Sequence, residues 1–317
     1  MRKKYLVMFM VVVALIAATT GCETNPNETE TTKTDPYIGG TRGLVLQFAE
    51  GAPPDEVFDN KEWEFPVELK LQNVGEADID KKDVSIKLGG LIPSDFGKKD
   101  SDFIKNGIGE DIIRTYKDFE GNTISSPDVF VTFPDLSYQY QLSGNKVLPI
   151  RAEVCYSYMT EATADGCVRE DVLSIDEDAV CQVNEEKTVH NSGGPIQVTQ
   201  FLEQPSGADK IRYMFTIEHQ GSGNVYLPGS GCPSDRTKEN KVYFEIESNV
   251  ADLECTGLSG GDSGKKGEVL LNEGKRVISC AQQAKSKLDY IDTIKITLKY
   301  DYEEFTQKDI LIKKSTV

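Results

Sequence analysis

An alternation of apolar and polar residues with a period of two dominates this chain from residue 43 onward. It is clearest at residues 66–73, 148–158, 211–217 and 294–302. Such a period places successive side chains on opposite faces of a strand, so each segment predicts a strand with one buried face. No amphipathic helix of ordinary length competes, and Gly, Pro, Asn and Asp separate the strands. The sequence therefore predicts an all-β protein of antiparallel, immunoglobulin-like β-sandwiches.

The length predicts two such sandwiches in tandem. A chain of 317 residues exceeds the size of about 250 to 300 residues at which a single core stops growing. We predict a first sandwich over residues 41–175, with an insertion over residues 89–127 that breaks the alternation. A second sandwich is predicted over residues 184–317. Residues 159–164 are predicted to turn the chain back in a closing hairpin of the first sandwich.

The two halves also resemble each other in sequence. The matching segments, in the same order in both halves, are 47–50 with 200–203, 69–79 with 215–225, and 156–158 with 300–302. A duplicated domain explains this order. It predicts that Leu69-x-Leu71 and Phe215-x-Ile217 lie on equivalent inward-facing strands. Opposite facing of these residues, or a single continuous sheet, would overturn the duplication.

The first 22 residues predict that the chain is exported. Arg2, Lys3 and Lys4 precede an apolar run over residues 5–18, and small residues follow just before Cys22. This pattern predicts a signal peptide whose cleavage exposes Cys22 for lipidation. An uncleaved N-terminal anchor is the alternative. Residues 23–40 have the composition of a flexible tether, and Asn27 begins an acceptor triplet for N-glycosylation.

The charge balance excludes one class of partner. The chain has 52 acidic and 35 basic residues, a net charge of -17. Binding to nucleic acid depends on neutralising phosphates with Lys and Arg, so we expect no nucleic acid partner.

The cysteines fit an oxidising compartment. With Cys22 set aside for lipid, six of the seven cysteines remain, and we expect three disulfides. Free thiols or a metal site are the alternatives, but the chain has no Cys-x-x-Cys and two histidines, so zinc is disfavoured. The predicted pairs are Cys155–Cys167 across the hairpin, Cys255–Cys280 around a Gly-rich excursion, and Cys181–Cys232 by elimination.

One motif resembles a known family. Asn73-Val74-Gly75, followed by residues 76–79 and another alternating strand, resembles the CARDB-type immunoglobulin-like domains of bacterial and archaeal surface proteins. The whole layout is similar to archaeal secreted lipoprotein-like proteins. The second half has His219 where the first has Asn73. The resemblance implies a fold and a location, and it implies no catalytic residues.

No motif predicts catalysis, a cofactor or a bound metal. Ser263 lies in Gly-Asp-Ser-Gly, as in trypsin-like proteases, but Lys265 and Lys266 follow it. We therefore interpret the segment as a polar turn. We interpret His190 as a loop residue and His219 as the end of a strand, so neither position supports a role as a general base.

Two further features have open interpretations. The acidic residues Glu170, Asp171, Asp176, Glu177 and Asp178 are expected to form a solvated linker between the halves, although calcium could bind there through carboxylate oxygens. Trp63, the sole tryptophan, is either a partly buried aromatic or a platform for a sugar ring.

The expected function follows from location more than from chemistry. We expect a lipid-anchored protein on the outer face of the cell membrane that acts as a non-catalytic structural or protein-interaction module, with an envelope protein or a glycan as partner. A glycan- or solute-binding module, favoured by a concave cluster of aromatics, is one alternative. A subunit that adds a strand to a neighbour through a long exposed edge is another.

Overall fold

The computed structural model describes residues 35–176, 178–233, 235–249, 252–261, 264–284 and 286–316. The predicted signal peptide, Cys22, Asn27 and most of the tether lie outside these residues. Residues 36–317 group as one compact unit, and residues 1–35, of which the structure describes Asp35, group as another.

The all-β prediction is confirmed. The described residues form short 3₁₀ turns at Lys81–Asp83, Pro93–Phe96 and Asp100–Phe103, and otherwise strands and loops. The strands of the first half are β1 Leu44–Phe48, β2 Glu56–Phe58, β3 Glu64–Asn73, β4 Val84–Gly89, β5 Ile104–Asn106, β6 Tyr116–Lys117, β7 Thr123–Ile124, β8 Val129–Ser137 and β9 Lys146–Val168. Those of the second half are β10 Glu185–Lys187, β11 Val189–Asn191, β12 Ile196–Pro205, β13 Lys210–His219, β14 Asn224–Tyr226, β15 Lys241–Glu247, β16 Glu254–Thr256, β17 Lys266–Leu270, β18 Lys275–Gln283 and β19 Tyr290–Lys313.

One large sheet runs through both halves. Its main order is β17-β15-β19-β9-β4-β5, with β11, β14 and β2 paired at its sides. A three-stranded sheet, β1-β3-β8, belongs to the first half, and a five-stranded sheet, β10-β12-β13-β18-β16, belongs to the second. Strands β6 and β7 form a separate hairpin in the predicted insertion. Buried apolar side chains of the two smaller sheets and of the large sheet form one contiguous core.

The order of pairing repeats between the halves. In the smaller sheets, β1-β3-β8 corresponds to β12-β13-β18, and in the large sheet β5-β4-β9 corresponds to β17-β15-β19. Leu69 and Leu71 on β3, and Phe215 and Ile217 on β13, are all fully buried. The prediction that these residues face inward is therefore confirmed.

The prediction of two separate sandwiches is not supported, because the large sheet is continuous. Strands β9 and β19 pair antiparallel from Val168 opposite Tyr290 to Lys146 opposite Ile312. Each long strand pairs in its own half, with β4 or β15, and then continues into the other half, where β11 pairs with β9 and β2 pairs with β19. The boundaries 41–175 and 184–317 thus divide the sequence but not the folded unit, and by its own criterion the predicted duplication is contradicted. The repeated strand order is what the two halves have in common.

The predicted hairpin at residues 159–164 is wrong. These residues continue β9 without a turn, with Thr160, Ala162 and Ala164 buried and Met159 exposed. The alternation that defines the strand therefore runs straight through the predicted turn. Continuing the strand satisfies the backbone N–H and C=O groups of this segment against β19, which a turn would leave to solvent.

Four buried tyrosines mark the centre of the large sheet. Tyr158 lies opposite Tyr300, and Tyr156 lies opposite Tyr302. The Tyr158 hydroxyl accepts a hydrogen bond from the backbone N–H of Ala77 (3.3 Å) and donates one to the carbonyl oxygen of Gly193 (3.1 Å). These contacts hold the segments of chain that pass over the sheet beside the tyrosines, which we call the chain crossings. The contact with Gly193 also joins the two halves.

The resemblance motif forms one of these crossings. Asn73 ends β3, and its side chain donates to the carbonyl oxygen of Ala77 (2.7 Å) and accepts from the N–H of Gly75 (3.0 Å). In the second half, the ring of His219 takes the corresponding place, with its Nε2 3.0 Å from the Tyr302 hydroxyl. The side-chain contacts of the two crossings therefore differ, as the looser sequence match predicts.

Candidate interaction surfaces

The three disulfides expected among six cysteines are present, but only one predicted pair is confirmed, Cys255–Cys280. Cys155 bonds to Cys232 and Cys167 bonds to Cys181, with Cα atoms 6.0 and 5.7 Å apart. The pairs Cys155–Cys167 and Cys181–Cys232 were wrong because the first two lie on the same strand. Twelve extended residues span roughly 40 Å, far beyond the reach of a disulfide.

The Cys155–Cys232 bond joins the halves on the outer face of the large sheet. There the buried carboxylate of Asp301 accepts hydrogen bonds from the N–H groups of Gly229 (3.1 Å) and Gly231 (2.7 Å). The Ser157 hydroxyl also donates to Asp301 (2.8 Å). The loop that carries Cys232 is thus held on the sheet by one covalent bond and a set of charge-assisted hydrogen bonds.

A groove of about 500 Å³ lies beside this disulfide. Its charged lining residues are Lys87, Glu153 and Glu303. Glu303 accepts hydrogen bonds from the Asn224 amide (3.0 Å) and the Tyr226 hydroxyl (3.2 Å). Burial, followed by the negative charge of Glu303, raises the pKa of Tyr226 to about 12. The groove could accommodate a small polar molecule, but it offers no activated nucleophile.

A smaller groove of about 260 Å³ lies where the compact unit begins, and we call it the entry groove. The Glu76 carboxylate accepts hydrogen bonds from the N–H groups of Ile38 and Gly39, both 3.0 Å, and of Gly193 (2.7 Å). These bonds fix the entering chain against both halves. The residues with ring or cationic side chains that line the groove are Tyr37, Arg114, Tyr116 and Lys117. An exposed ring next to cations suits a ligand with an apolar face and acidic or hydroxyl groups.

Trp63 is half-exposed and stacks on Phe58, with ring centroids 6.0 Å apart. This arrangement corresponds to the expected partly buried aromatic. Its use as a sugar platform stays a prediction.

The histidines considered for catalysis lie on different strands, and Ser263 falls outside the described residues. His190 lies on β11, opposite Thr163 of β9. Burial lowers the pKa of His219, whose ring contacts Tyr302 at the chain crossing. The two histidines therefore belong to strands of different sheets.

A buried carboxylate that sequence reasoning missed is Glu203 on β12. Both of its oxygens lie 3.0 Å from the N–H of Cys167, and the Lys187 ammonium is 3.3 Å away. Burial raises the pKa of Glu203 to about 8, against the lowering effects of the Cys167 N–H and of Lys187. The available signal was its position two residues after the buried Phe201, where alternation expects an apolar residue.

The acidic stretch does not lie where a linker between two sandwiches would. It follows the end of β9, where the Cys167–Cys181 bond closes a loop. Asp171 and Asp176 accept hydrogen bonds from the N–H groups of Leu173 and Asp178 in that loop, and Glu177 lies outside the described residues. Among the residues that the structure describes, no group of three or more His, Cys, Asp or Glu could hold a metal ion. The calcium hypothesis for the full stretch stays untested.

Within the described ranges, no helix is long and apolar enough to cross a membrane. The fold and the three disulfides define an all-β protein of the extracellular or cell-surface class, because such bonds persist in oxidising compartments.

Comparisons with known proteins yield distant structural likenesses. No model of a protein family matches the chain, and no curated protein matches it, so the CARDB and archaeal resemblances gain no support. A serine-rich repeat adhesion glycoprotein, Srr1, from Streptococcus agalactiae shares 10% identity over 89% of this chain and 99% of its own, with a TM-score of 0.18. The collagen-binding domain of RspB from Erysipelothrix rhusiopathiae shares 10% identity over 86% and 90%, with a TM-score of 0.12.

Proposed function

We propose that this protein is an outward-facing, lipid-anchored module of the cell envelope that binds another protein or a glycan without catalysing a reaction. The observation that carries the proposal is the set of three disulfides in a single compact β unit. Such cross-links suit a protein that must stay folded outside the cell, where no reductant protects free thiols.

The open grooves support binding over catalysis. The groove beside Cys155–Cys232 has its carboxylates occupied by neighbouring donors, and the entry groove is lined mainly by side chains that bind rather than react. Neither contains a paired base and nucleophile of the kind that activates a hydroxyl.

Strand addition is the less favoured mode of assembly, because the edge strands are short or interrupted. In the described sheets the edges β5, β10 and β16 each have three residues, and β1 and β17 each have five. The longest edge, β8, has nine residues, but its Pro134 has no backbone N–H to donate, and Asp135 has a positive φ of 57°. Such devices protect edges from pairing.

Fractionation of intact cells tests the anchor and the location together. We expect the wild-type protein in the membrane fraction, labelled by a membrane-impermeant amine reagent. Cys22→Ala should release it or leave it unprocessed with an uncleaved signal, whereas Thr20→Ala, which keeps the cysteine, should behave as wild type. Absence of surface labelling, or a Cys22→Ala protein that is processed normally and still membrane-bound, would contradict the proposal.

A glycan- or solute-binding role is the second candidate, and the entry groove favours it. Tyr116 is 44% exposed and lines this groove together with Arg114. A glycan array followed by calorimetry tests it. Tyr116→Ala should abolish binding, and Tyr140→Ala, which removes a comparably exposed ring outside the lining of this groove, should not. Equal effects of the two substitutions would exclude the entry groove.

A further inference from the structure

The loop that follows β9 is held rigidly although it lies at the surface. The Cys167–Cys181 bond closes it across 14 positions. Inside it, the buried Arg169 donates from Nη1 to the carbonyl oxygen of Ser174 (3.0 Å), and its Nε lies 3.4 Å from the Asp289 carboxylate. Asp289 also accepts the N–H of Glu170 (2.9 Å). These contacts fasten the loop to the segment that leads into β19.

The two fastened segments expose large apolar side chains. Ile175 is 94% exposed, Leu288 74%, Val180 64% and Leu173 56%. The Cys181 sulfur lies 3.7 Å from the Tyr290 carbonyl oxygen, which adds a contact between the two segments. Leu173, Ile175 and Val180 share the loop that the disulfide closes, and we call these three residues the apolar cap.

Acidic side chains lie beside the apolar cap in the same loop, whereas the segment that leads into β19 presents the exposed Lys287. Glu170, Asp171, Asp176 and Asp178 are exposed within the same loop. Their charge opposes contact with anionic lipid headgroups and with phosphate. It also opposes contact between two copies of the cap, because like charges placed face to face repel each other. An occupant of this surface must therefore combine an apolar recess with basic residues around it.

We propose that the apolar cap is a docking surface for a basic protein partner, one that presents an apolar groove bordered by Lys and Arg side chains. The proposal deepens the proposed function, on which it rests, by naming the surface and the chemistry of the partner. Apolar anchors such as Ile175 would fill the groove, and the acidic border would pair with the basic one. The disulfide and the Arg169 contacts already order the loop, so docking costs less conformational entropy than it would for a free loop.

Site-specific photo-cross-linking in intact cells tests the proposal. A photoreactive amino acid is placed at position 175 in one variant and at position 277 in a matched control, because Val277 is 56% exposed on β18 away from the cap. We expect a discrete protein adduct from position 175 and none from position 277. Cross-linked peptides identify the partner and the contacted surface, which should be basic around an apolar recess.

Substitutions of the acidic residues and of Ile175 then test which contacts the purified partner needs for binding. Asp176→Lys combined with Asp178→Lys, and separately Ile175→Ser, should each weaken binding at least tenfold, while Val277→Ser should leave it unchanged. Circular dichroism confirms that the variants stay folded, as expected for exposed positions. An adduct with a second copy of the chain, an adduct with lipid, no adduct at position 175, or binding insensitive to charge reversal would each overturn the proposal.

A failure here is distinguishable from a failure of the proposed function. If the protein is surface-labelled and a lysine-reactive cross-linker still captures a partner through another face, the apolar cap is excluded but the interaction role stands. If the protein is not on the surface at all, the proposed function fails first.

Discussion

At the scale of single residues, close packing around the central tyrosines leaves no room for added atoms. A Cβ at Gly75 would lie 2.0 Å from the Tyr158 hydroxyl and 2.6 Å from the carbonyl oxygen of Gly193. A Cβ at Gly221 would lie 2.2 Å from the Tyr302 hydroxyl. Glycine at these positions is therefore required by contact distance, and it lets the chain crossings rest on the tyrosines.

We predict that Gly75→Ala lowers the free energy of unfolding by about 2 to 4 kcal/mol, because the new methyl group forces the crossing off Tyr158 and breaks the link to Gly193. Urea denaturation measures the change. Gly144→Ala is the matched control, since no atom lies within 4 Å of a Cβ there, and it should change stability by less than about 0.5 kcal/mol. Equal effects of the two substitutions would refute the packing argument.

The buried Glu203 predicts a pH dependence of stability. Its pKa is about 8 in the folded protein and about 4.3 in an unfolded chain. Between these values the folded state binds a proton that the unfolded state has released. The contribution of Glu203 to stability is therefore greatest below the unfolded value and is lost as the pH rises through about 8. Glu304, whose pKa burial raises to about 7, acts in the same direction.

We predict that the free energy of unfolding falls more steeply between about pH 5 and 8.5 in the wild type than in Glu203→Gln, because this span lies above the unfolded pKa of about 4.3 and passes the folded pKa of about 8. The difference should reach at least about 1.4 kcal/mol, the equivalent of one pKa unit. Because Glu203 is protonated over most of this range, the loss of its ionic contact with Lys187 affects the variant mainly above about pH 8. Exposed Glu186 supplies the control, because Glu186→Gln should leave the slope unchanged; parallel curves for Glu203→Gln and wild type would disprove the assignment.

At the scale of elements, the strands β9 and β19 determine how the cysteines pair. They are 23 and 24 residues long and pair from one end of β9 to the other, so positions 155 and 167 lie far apart on one extended strand. Each cysteine must then find a partner on whichever loop crosses its part of the strand. Cys155 meets the loop held by Asp301, and Cys167 meets the loop held by Arg169.

Non-reducing peptide mapping tests this pairing. Trypsin is unsuitable, because no Lys or Arg lies between Cys155 and Cys167. A glutamate-specific protease separates them by cleaving after Glu161. We predict that the peptide with Cys155 is joined to the peptide with Cys232. A Cys155–Cys167 link would restore the hairpin and contradict the continuous strand.

At the scale of the whole molecule, the shared sheet makes the two halves one folding unit. Each half would lose a long neighbouring strand if the other unfolded, which would expose backbone donors and acceptors along β9 or β19. The Cys155–Cys232 bond and the Tyr158 contact to Gly193 also cross between the halves.

We therefore predict one calorimetric unfolding transition, with a ratio of calorimetric to van't Hoff enthalpy near 1, as for a two-state unit. Scanning calorimetry of the oxidised protein measures it. Because the disulfide could couple otherwise independent halves, Cys155→Ser with Cys232→Ser is the control, and it should unfold at lower temperature but still in one transition. Two transitions in either protein would favour the separate sandwiches that the sequence predicts.

The sequence was sufficient for the features that local periodicity carries. Alternation predicted the all-β fold and the inward faces of Leu69 and Phe215, because side-chain burial in a strand depends on neighbours two positions away. The Cys255–Cys280 pair could also be predicted from the sequence, since both residues flank one Gly-rich excursion of the chain. Six cysteines in an exported chain sufficed for the disulfides, although not for their full pairing.

Only the tertiary structure decided where β9 ends and what lies beside it. A strand that continues and a strand that turns have the same alternation, and the backbone hydrogen bonds that choose between them do not depend on side-chain identity. That choice moved Cys167 to the far end of the sheet, paired Cys155 with the second half, and turned a predicted acidic linker into a closed loop that carries the apolar cap. These outcomes depend on contacts between segments far apart in the chain, such as Cys155 with Cys232, separated by 77 positions, and Glu170 with Asp289, separated by 119. A pattern read along the chain does not contain such contacts.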